Sequence, residues 1–190
     1  MELHEKKLRQ VNSYSGIIVD VTLDQAQLAD GSRAFREVVH HPGGVTVLPL
    51  DEEGFVYCVR QYRYPFNCQM LEIPAGKREA GEPAFVTARR ELQEEIGASA
   101  QRWYDLGTVL PSPGCYNEVL CLYMAEGLHF TKQQLDEGEF LTVEKLPFQK
   151  LVERCLHGEI ADAKTVCATL KVLGFRTLGE KPCLLPTEGV

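Results

Sequence analysis

Apolar residues recur along this chain in two rhythms. Between Pro83 and Gly97, Phe85, Ala88, Leu92 and Ile96 return at helical spacing, so the segment predicts a helix with one face toward a core. Pro83 suits its first position and Gly97 its end. Elsewhere the rhythm is that of strands. "GIIVDVTL" and "AFREVVHH" are rich in β-branched residues, and "ADGS" between them supplies hairpin turn chemistry. After "HPGG", the run "VTVLPLDEEGFVYCVRQYRY" predicts a second hairpin turning at Glu52–Gly54, and "QMLEIPAG" a short strand. "RWYDLGTVLPSPG" and "NEVLCLYMAEGL" predict two more strands joined by the loop 111–117, and "FLTVEKLP" a last one. "PFQKLVERCLHG" and "ADAKTVCATLKVLGF" have helical periodicity with terminal glycines, and the tail "KPCLLPTEGV" is expected to be poorly ordered. The expected fold is α/β: a mixed sheet with helices against it over 43–190, preceded by a small antiparallel β domain over 1–42. That first piece is too small to stand without a partner surface.

Composition narrows the classes. The chain has 190 residues, 44% hydrophobic and 25% charged, and a net charge of −7. This is the profile of a globular protein with a sizeable core, and its acidity disfavours a nucleic-acid-coating surface. No stretch approaches the ~18 apolar residues of a membrane span, and "MELHEKKLRQ" carries no apolar signal region. Seven cysteines without a C-x-x-C pair are expected to be reduced, buried thiols in a cytoplasmic protein. Cys115 in its Gly-rich loop could be read as a nucleophile, but no local motif accompanies it and packing as a small hydrophobe is the plainer reading.

The helix carries a charge anomaly. Glu91, Glu94 and Glu95 fall side by side in its last turns, where the macrodipole is negative and carboxylates are disfavoured. A solvated face with an Arg90–Glu94 pair would contribute only ~0.3–0.5 kcal/mol. It leaves the clustering of three acids unexplained. A hard divalent cation would explain it, since such an ion takes oxygen ligands and offsets their repulsion; on the helix alone the solvated face stays open as the alternative, because acidic turns are common on protein surfaces.

The wider spacing is Gly76, five residues, Glu82, seven residues, then Arg90-Glu91-Leu92-x-Glu94-Glu95-x-Gly97. This resembles the signature of the Nudix hydrolase family, with every specified polar and glycine position filled. Ala98 is the one departure, standing where a larger aliphatic residue is usual. The resemblance implies an α/β/α sandwich that binds Mg²⁺ or Mn²⁺ and hydrolyses a diphosphate joined to another moiety. It implies Glu91 and Glu95 as principal metal ligands, Glu94 as a third, direct or through water, and the carbonyl of Ala75 as a backbone ligand. Gly76 would let the backbone approach the metal, Arg90 would orient the carboxylates and Glu82 would brace the loop. Pro113, sixteen residues past Gly97, resembles a mark of the ADP-ribose pyrophosphatase subgroup, as do "RQYRY", "LEIPAG" and "SRAFREVVHHPGG".

In that subgroup a loop matching "DEGEFLTVEKL" carries two acids. By position Glu137 matches the general base and Glu139 a further metal ligand, although the two roles could be exchanged. Arg63 would pair with a phosphate, Arg36 and Glu37 would touch the nucleotide in a homodimer, and Pro113 and Gly114 count among the substrate-binding positions. Relatives stack adenine on aromatic residues; here Phe35 stands next to the expected position and Ile17–Ile18 occupy the other. His40 and His41, adjacent on a strand, point to opposite faces, so at least one is expected to be structural. The expected activity is cleavage of ADP-ribose to AMP and ribose 5-phosphate. Alternatives are another sugar nucleotide such as ADP-glucose, a dinucleotide, or a sensor that binds ADP-ribose or NAD without cleaving it. No nucleic-acid or membrane partner is expected.

Overall fold

A computed structural model of the chain describes residues 3–186. They divide into two compact units, one made of residues up to Gly43 with Leu110–Val119, the other of Gly44–Val109 with the chain from Leu120 onward.

The first unit is an antiparallel sheet in the order β1 (Lys6–Ser15), β2 (Asp20–Gln27), β3 (Arg33–His40). The β2–β3 hairpin turns at 28–32, where Gly31 takes a φ of +85°. The strand β1 is absent from the hydrophobic rhythm for a physical reason: all ten of its residues are exposed. Backbone pairing to β2 forms it, and bulges at Lys7/Arg9 and Gln10/Asn12 break what alternation remains. The loop holding Pro113 and Gly114 joins β3 through hydrogen bonds from Val39 N–H to Cys115 O (2.7 Å) and from Asn117 N–H to Val39 O (3.0 Å). His40 lies within 3.1 Å of both Thr22 and Asn117, and His41 Nδ1 accepts from Gly43 N–H at 3.1 Å. Both histidines thus have structural partners inside this unit.

The second unit holds a mixed sheet, β11 (Cys183–Leu184), β8 (Ala98–Val109), β9 (Leu120–Phe130), β4 (Gly44–Pro49), β7 (Ala75–Lys77), and an antiparallel one, β10 (Leu141–Pro147), β5 (Phe55–Arg63), β6 (Cys68–Glu72). With the helices α1 (Ala84–Ile96), α2 (Phe148–Leu156) and α3 (Ala163–Leu178), this is the α/β sandwich that the sequence led us to expect. Val45 and Val47 of β4 enter the core cluster that contains Ala88, Leu92 and Ile96 of α1, whereas Leu48 enters the one that contains Leu151 of α2 and Val172 of α3.

Two local readings need correction. The run 45–64 is not a hairpin. Every residue of β4 is buried, and its edges are taken by β9, in parallel, and β7, leaving β5 only the single bridge Leu50–Val56. "QMLEIPAG" is likewise two strands in two sheets. The crossing lies at Ile73–Pro74, where Pro74 lacks an N–H but its carbonyl accepts from Val47 N–H (2.8 Å) and Thr46 Oγ1 (2.9 Å). The cysteine expectation is half right. All seven thiols are free, yet Cys68, Cys115 and Cys183 are exposed. The tail up to residue 186 includes β11, whose pairing continues with Leu185 N–H to Trp103 O (2.8 Å), while 187–190 lie outside the described residues. Among the described residues no helix is long and apolar enough to cross a membrane.

Candidate active site

The helix α1 forms where its rhythm predicts, one residue later at its start. Pro83 is the N-cap with ψ 138°, and Gly97 closes the helix in the left-handed region at φ 65°. Its apolar stripe docks as expected, with Phe85 edge-on to Trp103 at 5.3 Å between ring centres. Docking carries Glu91 and Glu95 inward too, leaving them 8% and 3% exposed, with Glu94 only half-buried.

Each carboxylate has a named partner. Glu95 accepts from the Ala75 N–H at 2.9 Å. Arg90 donates through Nη1 to Glu91 and to Glu94, both at 2.8 Å, and through Nε and Nη2 to Glu82, both at 3.2 Å. One guanidinium therefore holds three acids, far more than the single i,i+4 pair of the plain charged-face reading. Glu82 also accepts from Thr87 Oγ1 (2.9 Å) and Glu79 N–H (3.2 Å), tying the loop to the first turn of α1. The Arg90 hydrogen bond is the main reason that Glu82 is pulled down to about 2. Gly76 sits against the Glu91 carboxyl so closely that a Cβ there would lie 1.9 Å from its carbon. Only glycine admits the carboxyl to this position.

Burial pushes Glu91 up to about 7, with Arg90 opposing and the charges of Glu94 and Glu139 adding. It pushes Glu95 up to about 8, opposed by the Ala75 N–H and raised further by Glu91 and Glu139. Of the two glutamates in the 131–140 loop, Glu139 thus acts electrically on the helix pair. Glu137 is exposed and does not figure among those causes.

A second network abuts this one and was not foreseen. Glu72, 1% exposed, accepts from Arg63 Nε and Nη2, both at 2.7 Å, and from Lys164, which also reaches Asp162 at 2.8 Å. Burial would raise Glu72, but these cations overcome it and hold the carboxyl at about 2. Arg63 and Lys164 both interact electrically with Glu95, so the structure brings the predicted phosphate arginine to the acids. The signal for Lys164 was its place in "ADAK", two residues past Asp162, the N-cap of α3. In the first unit, Arg36 forms a two-bonded ion pair with Glu5 (2.9 and 2.7 Å), Glu37 is exposed on the same strand, and Pro113 and Gly114 are exposed in the loop joined to it.

Among the described residues, no three Asp, Glu, His or Cys side chains converge as a finished ion nest. Glu91 and Glu94 are drawn to Arg90, and Glu95 to a backbone N–H. The donor set still fits a hard divalent cation. It is all oxygen, it stands behind a glycine cradle, and it holds two buried carboxyls whose ionised forms are costly without an opposite charge.

The NUDIX domain family model matches residues 40–167. An ADP-ribose pyrophosphatase of Bacillus subtilis (strain 168) is 36% identical over 168 residues, 87% of this chain and 91% of that protein. A methanol dehydrogenase activator of Bacillus methanolicus is 37% identical over 166 residues, 86% and 90% of the two chains. A crystal structure of an ADP compounds hydrolase superimposes with a TM-score of 0.82 over 95% of this chain and all of that one, at 19% identity, which speaks for the fold. The chain belongs to the Nudix hydrolase family.

Proposed function

We propose that this hydrolase cleaves the diphosphate of a nucleoside diphosphate sugar, ADP-ribose foremost, giving AMP and ribose 5-phosphate. The observation that carries the reading is the buried Glu91–Glu95 pair seated behind Gly76. The substrate is suggested by the Bacillus subtilis relative, an ADP-ribose pyrophosphatase. Nudix hydrolases in general use divalent metal ions. Here Mg²⁺, with Mn²⁺ as the alternative, is assigned to Glu91 and Glu95, to Glu94 directly or through water, to the Ala75 carbonyl and to Glu139. Such an ion would neutralise the diphosphate, polarise phosphorus and lower the pKa of water at the site.

The chain's own residues do the rest. Arg90 orients the carboxylates, and Arg63, with Nε and Nη2 held by Glu72, has Nη1 left for a phosphate oxygen. Beside Glu139 a cleft lined by Arg60, Tyr62, Gln69 and Phe140 offers aromatic faces to a sugar. Arg36, Glu37, Pro113 and Gly114 are assigned to substrate contacts. A screen of released products across ADP-ribose, ADP-glucose, other sugar nucleotides and dinucleotides, with and without Mg²⁺, tests the whole reading. ADP-ribose turned over no faster than the others would reject the assignment, and binding without turnover would favour a sensor.

Glu137 is assigned as general base. A base contributes typically ~10²–10⁴-fold in rate. Glu137→Gln is expected to lower kcat by that order with metal affinity unchanged, whereas Glu139→Gln raises the Mg²⁺ requirement. Rescue of Glu137→Gln, and not of Glu139→Gln, by excess Mg²⁺ would exchange the two roles.

The first unit is proposed to dimerise. Its edge strand β1 exposes Leu8, Val11 and Tyr14, an arrangement that invites pairing. Sedimentation at micromolar concentration is expected to show a homodimer, and a fully active monomer would contradict this.

A further inference from the structure

The end of α1 is held by a segment that carries no acid. Immediately after β9, residues 131–134 run across the helix terminus and satisfy carbonyls that a helix end leaves without partners. Thr131 N–H donates to Gly97 O at 2.6 Å, Gln134 N–H to Glu94 O at 3.1 Å, and the Gln133 side-chain amide to Glu95 O. From the helix side, Gln93 Nε2 donates to Thr131 Oγ1 (3.0 Å) and approaches Lys132 O at 3.3 Å. The fit is close. A Cβ on Gly97 would stand 2.6 Å from Thr131 O and 2.7 Å from Gln133 N. Gly97 therefore serves twice, as the left-handed cap of α1 and as the seat of this segment.

Two consequences follow. Donors placed on Glu94 O and Glu95 O offset the negative end of the helix dipole in the turn that carries the Glu94 and Glu95 carboxyls. And the same few residues lead directly into 137–139, so their position sets where those acids stand. Glu139, five residues beyond Gln134, lines one cleft with Leu135, Arg60 and Tyr62.

We propose that Gln133, supported by Gln93, is a positioning residue that staples the acid loop 136–140 to the last turn of α1, and so fixes where Glu139 stands at the acidic end of that helix. The inference rests on the reading of Glu139 as part of the hydrolytic site. It assigns Gln133 no contact with substrate.

The test uses Gln133→Met, which keeps the length of the side chain and removes the donor. In the metal-free protein, hydrogen exchange over 131–140 accelerates while 84–92 of α1 stays protected. With Mg²⁺ and ADP-ribose, kcat falls roughly 10–100-fold, the size expected of a misplaced group. The Mg²⁺ needed for half-maximal rate rises and KM is unchanged. Because Gln133 acts through the loop that holds both Glu137 and Glu139, Gln133→Met added to the Glu137→Gln/Glu139→Gln double variant slows it no further. Additive losses, or unchanged exchange over 131–140, would overturn the proposal. If Glu139→Gln is defective and Gln133→Met is normal, the staple fails alone. If Glu139→Gln has normal kinetics, the reading of the loop falls and the staple with it.

Discussion

Glu95→Gln is expected to lower turnover by roughly 10²–10⁴-fold, as the loss of a metal ligand worth several kcal/mol requires, while the metal-free protein becomes no less stable. Glu95 is 3% exposed at the negative end of α1, and burial together with Glu91 and Glu139 raises it to about 8. Glu91 stands at about 7 for similar reasons. A carboxyl raised in the folded state keeps a proton that the unfolded chain has already released. Between about pH 4.5 and 8 the folded state therefore binds more protons, and stability falls as pH rises through that window. The two groups raise one another, so their shifts do not add, and the combined loss is on the order of a few kcal/mol.

Glu72 and Glu82 cannot mimic this trend. Both are held at about 2, so their contribution is present above the unfolded value and is lost only in acid. Urea denaturation in EDTA at pH 5.5 and pH 8.5 reads the difference. The wild type is expected to be weaker at the higher pH, Mg²⁺ to restore it, and Glu95→Gln to show a shallower dependence. Glu94→Gln should lose activity in the same way. If Glu95→Gln destabilises the metal-free protein markedly and keeps its activity, the carboxyl is a structural group.

Gly76→Ala is also expected to lower turnover, through a different cause. The backbone of Gly76 is not in the left-handed region, so the substitution adds no backbone strain; it fills space that the Glu91 carboxyl occupies, 1.9 Å from the new methyl. The flexible end of Glu91 must yield, because β7 is fixed by its pairing to β4. Displacing a ligand by an ångström or more is expected to cost about 10²-fold in rate, with a small change in Tm. Shortening the displaced group by one methylene, in Gly76→Ala with Glu91→Asp, should recover part of the activity. Gly174→Ala is the control: it meets no atom within 4 Å in α3 and should stabilise by about 0.5–1 kcal/mol at full activity. Wild-type metal-dependent turnover in Gly76→Ala would mean that Glu91 is not needed where the structure holds it.

What could be read without coordinates was whatever depends on neighbours in the chain. The helix Ala84–Ile96, its glycine cap, its buried stripe and the acidic turn follow from spacing alone, since residues three and four apart share a face. The 28–32 turn and most strands follow from turn chemistry and β-branched runs. The spacing from Gly76 to Gly97 was enough to point to the family. Contacts distant in sequence were decided only by the tertiary structure. Among these are the burial of β4 between β9 and β7, the division of "LEIPAG" over two sheets, and the Glu72 network that ties Arg63 to Lys164. The strand β1 was invisible because backbone pairing, not burial of its side chains, holds it in place. The segment 131–134 lacked any periodicity to reveal it, for its hydrogen bonds run to carbonyls of a helix some 40 positions earlier. Such carbonyls are alike in every sequence, and only the folded chain shows which donors reach them.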